Sequence, residues 1–273
     1  MAAGGRTQRI EERLARLSAE DRVGLMTHIV YGFPSPEESR RVAETMLESG
    51  VDFLEVQLPF SDPTADGPTI TAACQTALDN GARIQDGIDL VAELSAKYET
   101  PILFMSYFNI VFNYCPPGGK DRGPARFAKA AADAGAVGLI VPDIPPEESQ
   151  EGFPEACQEN GLHPVYVTSP NVSDKRLEAI RKVASGFIYC TSRTGTTGRD
   201  MQIEMDVLGA FLDRARDRCG LPLAVGFSIS TPEDVEALKG KAEIAVVGSH
   251  LIRVYESDGL DGVAREVKKL TGQ

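Results

Sequence analysis

Short β-rich apolar runs alternate with longer stretches of helical period from one end of the chain to the other. The runs fall at 25–31, 52–58, 101–106, 137–142, 164–168, 186–190, 222–226 and 243–247. Between and after them lie helix candidates near 36–50, 83–98, 124–135, 147–161, 173–184, 204–219, 231–239 and 259–271. Strands separated by helices at this spacing run parallel and are joined by right-handed crossovers. Eight strand–helix units predict a closed (β/α)8 TIM barrel of the α/β class rather than an open sheet, and a single domain over 1–273, since such barrels commonly need about 250 residues. A further N-terminal helix over 7–18 carries Ile10, Leu14 and Leu17 on one face and is expected against the bottom of the barrel. Ser35-Pro36 and Thr231-Pro232 read as helix cap and first helical residue, with Gly50 as a stop.

Composition narrows the function. With 42% hydrophobic and 25% charged residues the chain has ordinary globular proportions, which argues against disorder. Lys and Arg total 28 against 40 Asp and Glu, and the resulting net charge of −12 disfavours nucleic acid as a partner. No apolar run approaches the roughly 20 residues that span a bilayer, and the polar N-terminus lacks the apolar core of a signal peptide. Cys74, Cys115, Cys157, Cys190 and Cys219 form no C-x-x-C pair and read as free thiols in a reducing cytoplasm. His28, His163 and His250 are far apart in sequence, so no metal site is expected.

In parallel barrels chemistry sits at the C-terminal ends of the strands and in the loops beyond them. The stretch 52–70, DFLEVQLPFSDPTADGPTI, is the most informative by that criterion. Period 2 puts Phe53, Glu55 and Gln57 on one face and Leu54, Val56 and Leu58 on the other. The second set suits the covering helices, so Glu55 is expected to point into the barrel near its top. A partly desolvated carboxylate there has its pKa raised toward an acid/base value; a structural glutamate held by a salt bridge or capping a neighbouring strand is the competing reading. The long loop that follows holds Asp62 and Asp66. Asp62, before a proline, reads as a turn former, whereas Asp66 divides evenly between a turn residue and a second functional carboxylate. YCTSRTGTTGR (189–199) reads as a donor-rich lid or a surface turn. VGFSIS (225–230) and VVGSH (246–250) lie after strands seven and eight, where these barrels recurrently bind phosphate, and Gly248-Ser249 opens a helix whose free N–H groups suit an anion.

These runs resemble the α subunit of tryptophan synthase over nearly the whole length. LPFSDPTADGPTI is highly specific, and SYFNIVFN (106–113), VPDIPPEES (141–149), SRTGTTG (192–198), GFSIS (226–230) and VGS (247–249) follow in the family's order. The resemblance implies a carbon–carbon lyase of tryptophan biosynthesis that cleaves indole-3-glycerol phosphate to indole and glyceraldehyde 3-phosphate by retro-aldol acid/base chemistry. It implies Glu55 and Asp66 as the catalytic pair, with Tyr107, Tyr189 and Thr197 in the substrate pocket. It implies Gly198, Ser228, Gly248 and Ser249 around the phosphate, and no metal or cofactor in this chain. The implied partner is a β subunit carrying pyridoxal phosphate, in an α2β2 heterotetramer in the cytoplasm, with Asp62 and Asn109 facing it. Three departures stand out: Gln57 and Ser228 occupy positions where glycine is common, and His28 replaces an aromatic pocket residue. On the Glu55 face, Gln57 is expected either to crowd the pocket or to hydrogen-bond substrate, and His28 reads first as a packed strand residue. A stand-alone indole-releasing lyase shares all of these residues. A non-catalytic regulator that binds the phosphorylated ligand would have no need of both carboxylates.

Overall fold

The computed structural model describes residues 4–147, 152–191, 205–226 and 229–272. After α1 (Gly4–Ala19) come β1 (Gly24–Val30), α2 (Pro36–Glu48), β2 (Phe53–Gln57), α3 (Pro68–Asp79), α4 (Ile84–Lys97) and β3 (Ile102–Met105). Next are α5 (Phe108–Asn113), α6 (Pro124–Asp133), β4 (Gly138–Ile140), α7 (Phe153–Glu159), β5 (His163–Val165) and β6 (Val167–Thr168). The chain ends with α8 (Asp174–Val183), β7 (Ile188–Thr191), α9 (Met205–Cys219), β8 (Leu223–Gly226), α10 (Pro232–Glu236), β9 (Ile244–Val247) and α11 (Ser249–Thr271).

Every strand pairing is parallel, in the order β5-β4-β3-β2-β1-β9-β8-β7-β6. The two ends of that order, β5 and β6, are one extended segment interrupted at Tyr166, whose carbonyl still accepts from Tyr189 N at 3.0 Å. The sheet therefore returns to its own beginning, and the eight strands expected from sequence form a (β/α)8 barrel whose fifth strand is in two pieces.

Alternation along the strands divides the core into two layers. Leu54, Val56 and Leu58 join Leu25, Ile29, Phe104 and the apolar faces of the helices outside the barrel. Phe53, Met26, Leu103, Val165, Phe187 and Ile244 fill the inside. Ile10 and Leu17 of α1 belong to the inner cluster, with Leu14 packed against it, so α1 plugs the barrel floor as its periodicity predicts. Asp52 fixes the same end. Fully buried, it accepts from the Arg22 guanidinium at 2.7 and 2.8 Å and from Leu25 N at 2.9 Å.

The caps behave as their residues dictate. Ser35 Oγ accepts from Glu38 N at 3.1 Å with Pro36 in the first turn of α2, and Thr231 and Asp234 form a reciprocal capping box on α10. Two helices go beyond the sequence reading. α3 buries only Ala73, Cys74 and Ala77, a face too small to give a strong apolar period, and six-residue α5 starts without a side-chain cap. α11 is two helical pieces joined at a kink, where Gly259 has φ 63°: the first opens at Ser249, as the Gly248-Ser249 reading expects, and the second is the helix expected over 259–271.

Candidate active site

The C-terminal rim of the barrel opens into a cavity of about 780 Å³ whose wall includes His28, Glu55, Asp66, Tyr189, Gly248 and Ser249. Strand register explains how residues distant in sequence meet there. On β1, His28 lies level with Glu55 of β2, and Thr27 lies level with Val247 of β9. His28 therefore stands on the rim between the Glu55 carboxyl and the start of α11.

Glu55 points inward as period 2 requires. It is buried, and its Oε2 has no hydrogen-bond partner among the described residues. Burial, reinforced by the nearby Asp66 carboxyl, pushes its pKa up to about 8. Among the described residues no cation pairs with it, which speaks against the salt-bridge reading. A carboxyl with this environment is protonated at neutral pH and can give up its proton at little cost.

Asp66 is held differently. The 59–67 loop folds back so that Asp66 N bonds Pro63 O at 3.1 Å, and Gly67-Pro68 then starts α3. Its Oδ2 accepts from Gln57 Nε2 at 2.7 Å and from the Tyr107 hydroxyl at 2.9 Å. Burial raises its pKa, while the Gln57 hydrogen bond, the nearby His28 and the Tyr107 hydrogen bond pull it back down. The pair thus divides into an orphaned carboxyl and a carboxylate supplied with donors, the separation that lets two acids take different roles. Asp62 is exposed and accepts from Ser61 Oγ, in keeping with its reading as a turn residue outside the cavity.

Tyr107 stands behind Asp66 rather than on the cavity wall. It is buried, stacks on Phe60 with ring centroids 5.2 Å apart, and its oxygen accepts from Ala65 N at 2.9 Å. Tyr189 does line the cavity, and burial together with Glu55 and Asp66 holds its phenol well above the ordinary range. Its ring fits only because residue 226 is glycine: a Cβ there would lie 2.7 Å from Tyr189 Cε1 and Oη. Gly226→Ala is therefore expected to push the ring into the cavity and weaken any ligand that fills it by roughly tenfold, measured by calorimetric titration, since displacements of about 1 Å cost up to 10²-fold.

Gly248 and Ser249 line the cavity together at the N-terminus of α11, where backbone N–H groups are free to meet an anion. Thr197, Gly198 and Ser228 lie outside the described residues. Gln57 neither crowds the cavity nor is left for substrate: it is buried and spends its amide on Asp66 and on His28, whose Nε2 lies 2.7 Å from Gln57 Oε1. His28 is packed, as its strand position predicts, but it is also a cavity residue hydrogen-bonded toward Asp66.

A parallel barrel carrying an orphaned carboxyl and a donor-supplied carboxylate at its C-terminal rim belongs to the class of barrel enzymes that work by acid–base chemistry. Comparison with known proteins narrows the class. The family model for the tryptophan synthase alpha chain matches residues 14–272, and the chain belongs to that family. The tryptophan synthase alpha chain of Desulforapulum autotrophicum is 44% identical over 246 residues, covering 90% of this chain and 93% of its relative. That of Syntrophotalea carbinolica is 41% identical over 261 residues, covering 96% and 99%. Among solved structures, Mycobacterium tuberculosis tryptophan synthase superposes with a TM-score of 0.86 at 28% identity, covering 96% of each chain. The tryptophan synthase subunit alpha of Legionella pneumophila gives 0.84 at 31% identity, covering 97% of each. The family's reaction is the cleavage of indole-3-glycerol phosphate, and the chain is a lyase of tryptophan biosynthesis.

Proposed function

We propose that Glu55 and Asp66 carry out this cleavage as an acid/base group and a ring-holding anion, respectively. The observation that carries the assignment is their contrast: Glu55 is buried with an unpartnered oxygen, and Asp66 accepts two hydrogen bonds on Oδ2. Glu55 begins protonated and delivers its proton to C3 of the indole ring. Asp66 accepts the ring N–H and stabilises the positive charge that the ring gains. The resulting Glu55 carboxylate takes the proton from the hydroxyl on the carbon joined to the ring. That oxygen becomes the aldehyde oxygen, the carbon–carbon bond breaks, and its electron pair returns to the ring as indole is released. The proton count closes on Glu55, which ends as it began.

Tyr189 lines the indole end, and Tyr107 acts through Asp66. Gly248 and Ser249 offer the phosphate the start of α11, and Thr197, Gly198 and Ser228 complete the lid and phosphate set by their match to the family's motifs. We read residues 1–273 as a single barrel domain in the cytoplasm, a placement supported by five free cysteines. Among the described residues no helix is long and apolar enough to cross a membrane. The partner is a β subunit in an α2β2 assembly, the only place where pyridoxal phosphate is needed. Support comes from the outer face near Asp62 and Asn109: both are exposed, and Phe112 on the same short helix as Asn109 is 45% exposed.

Indole release from indole-3-glycerol phosphate, assayed with and without a tryptophan synthase β subunit, tests the whole reading. The expected result is slow release alone and severalfold faster release with the partner. Equal rates in both arms would identify a stand-alone lyase, and ligand binding without release would identify a regulator.

A further inference from the structure

Asp66 rides on a loop, yet its carboxylate is tied to the rigid wall of the barrel through two side chains from adjacent strands. Gln57 is the last residue of β2, and His28 lies on β1. Both are buried, at 0% and 4% exposure, and the hydrogen bonds His28 Nε2···Gln57 Oε1 and Gln57 Nε2–H···Asp66 Oδ2 are each 2.7 Å long. The chemistry fixes the direction of this chain. Tyr107 Oη accepts from Ala65 N and gives its own hydrogen to Asp66, so Asp66 Oδ2 is an acceptor. Gln57 then presents its NH2 to Asp66 and its carbonyl to His28, which leaves His28 Nε2 only the role of donor. The imidazole is held in the Nε2–H tautomer, and its Nδ1 has no partner among the described residues. Each member donates toward the carboxylate and polarises the next, the arrangement in which hydrogen-bond chains reinforce one another.

We propose that His28 and Gln57 are positioning residues for the lyase reaction: a tautomer-locked relay that anchors the Asp66 carboxylate to the barrel wall and keeps it ionised. The proposal rests on the reading of Asp66 as the group that meets the indole N–H. An anion that must accept that N–H has to stay charged although it is largely buried, and so depends on donors from the protein. Gln57 and Tyr107 supply them on Oδ2, and no partner is found for Oδ1 among the described residues, which leaves that oxygen for the substrate. The other titratable groups facing Asp66 among the described residues do not do this work. Glu55 opposes its charge, and Tyr189 and Cys74 stay neutral because burial raises both above their ordinary ranges. This pairing also accounts for two departures from the family pattern at once, since His28 and Gln57 are one hydrogen-bonded unit rather than two separate substitutions.

The test is the Asp66 titration followed by carbon NMR of aspartate-labelled protein, together with the pH profile of indole release. Replacing Gln57 by Leu removes a charge-assisted hydrogen bond, and Asp66 is expected to titrate about one pH unit higher. The acidic limb of kcat/KM moves with it, and kcat falls by about tenfold. His28→Phe shifts the same titration less. Because the His28 hydrogen bond goes to Gln57 and not to Asp66, the double variant is expected to lie close to Q57L alone and well short of the sum of the two single shifts. An unmoved Asp66 titration in Q57L, or additive effects in the double variant, would overturn the relay. Should Q57L fail to fold, Gln57→Met at closely similar volume reads the same titration. An NMR shift without indole release in the wild-type chain would uphold the relay and refute the lyase roles given to Glu55 and Asp66.

Discussion

Replacing Glu55 with Gln should abolish indole release while making the protein more stable at alkaline pH. General acid–base groups typically contribute 10²–10⁴-fold, and Glu55 serves as both acid and base, so a loss in kcat near 10⁴-fold is expected. The stability effect follows from the same burial. Glu55 titrates near 8 in the fold against an ordinary value of 4.5, so the folded state holds its proton more tightly than the unfolded chain does. A carboxyl raised in this way costs nothing below the unfolded pKa. The penalty grows as pH climbs from about 4.5 toward 8, and it is then fully present. The substituted glutamine is not subject to it, and because Oε2 has no partner among the described residues, the amide forfeits no hydrogen bond on that oxygen. Thermal unfolding at a series of pH values should give coincident curves for the two proteins at pH 4. By pH 8 the variant should lead by a few kcal/mol. Coincident curves throughout would show that Glu55 is solvated, and an active E55Q would remove it from the mechanism. The wild-type chain should lose kcat/KM above about pH 8, because the proton destined for the indole ring is then gone.

Much of this geometry was legible in the residues, and the boundary of legibility is physical. Alternation gave the strands and the inward face of Glu55, because period 2 is set by the backbone itself. The caps at Ser35 and Thr231 were readable for the same local reason. What depended on tertiary pairing was not. Nothing near Gln57 in sequence announces His28, 29 residues away, as its neighbour; that contact exists because β1 and β2 pair in a register that puts Val30 beside Gln57. Two alternatives were open for Gln57, crowding or binding substrate, and the amide took a third by satisfying two buried partners. Asp66, evenly divided on its own residues, is held at the cavity by Tyr107, whose hydroxyl crosses from the end of β3 to reach it. Helix α3 escaped because its buried face is alanine and cysteine, too small to stand out as a period, although that helix follows directly on the Asp66 loop. Hydrophobic periodicity reports burial of bulky groups; it is silent about buried polar networks and about helices packed through small residues.

The Asp66→Asn variant should separate the two carboxyl groups. Its amide keeps the size of the side chain but removes the anion that accepts the indole N–H. An oriented acceptor of this kind is worth about 10²–10³-fold, and a loss of that order in kcat/KM is expected. The loss should be larger for indole-3-glycerol phosphate turnover than for binding of an inert analogue, since the ring becomes positive only as C3 is protonated. A second effect has the opposite character. Burial is the larger cause of the raised Glu55 pKa, and the Asp66 charge is the other. Removing that charge makes the Glu55 carboxylate easier to form, so its pKa falls. The alkaline limb of the kcat/KM profile should therefore move to lower pH in D66N while the maximum drops. Part of the asparagine's cost also comes from Gln57 and Tyr107, which donate to Asp66 Oδ2 in the wild type and can satisfy only an acceptor there. The asparagine can turn its carbonyl toward them, which leaves its NH2 facing the substrate N–H, donor against donor. Asp66→Ala avoids that clash, so it should be no worse than D66N for analogue binding even though it has lost more atoms. A D66N protein with an unshifted alkaline limb would mean that the two groups do not sense each other's charge, and that their roles must be assigned separately.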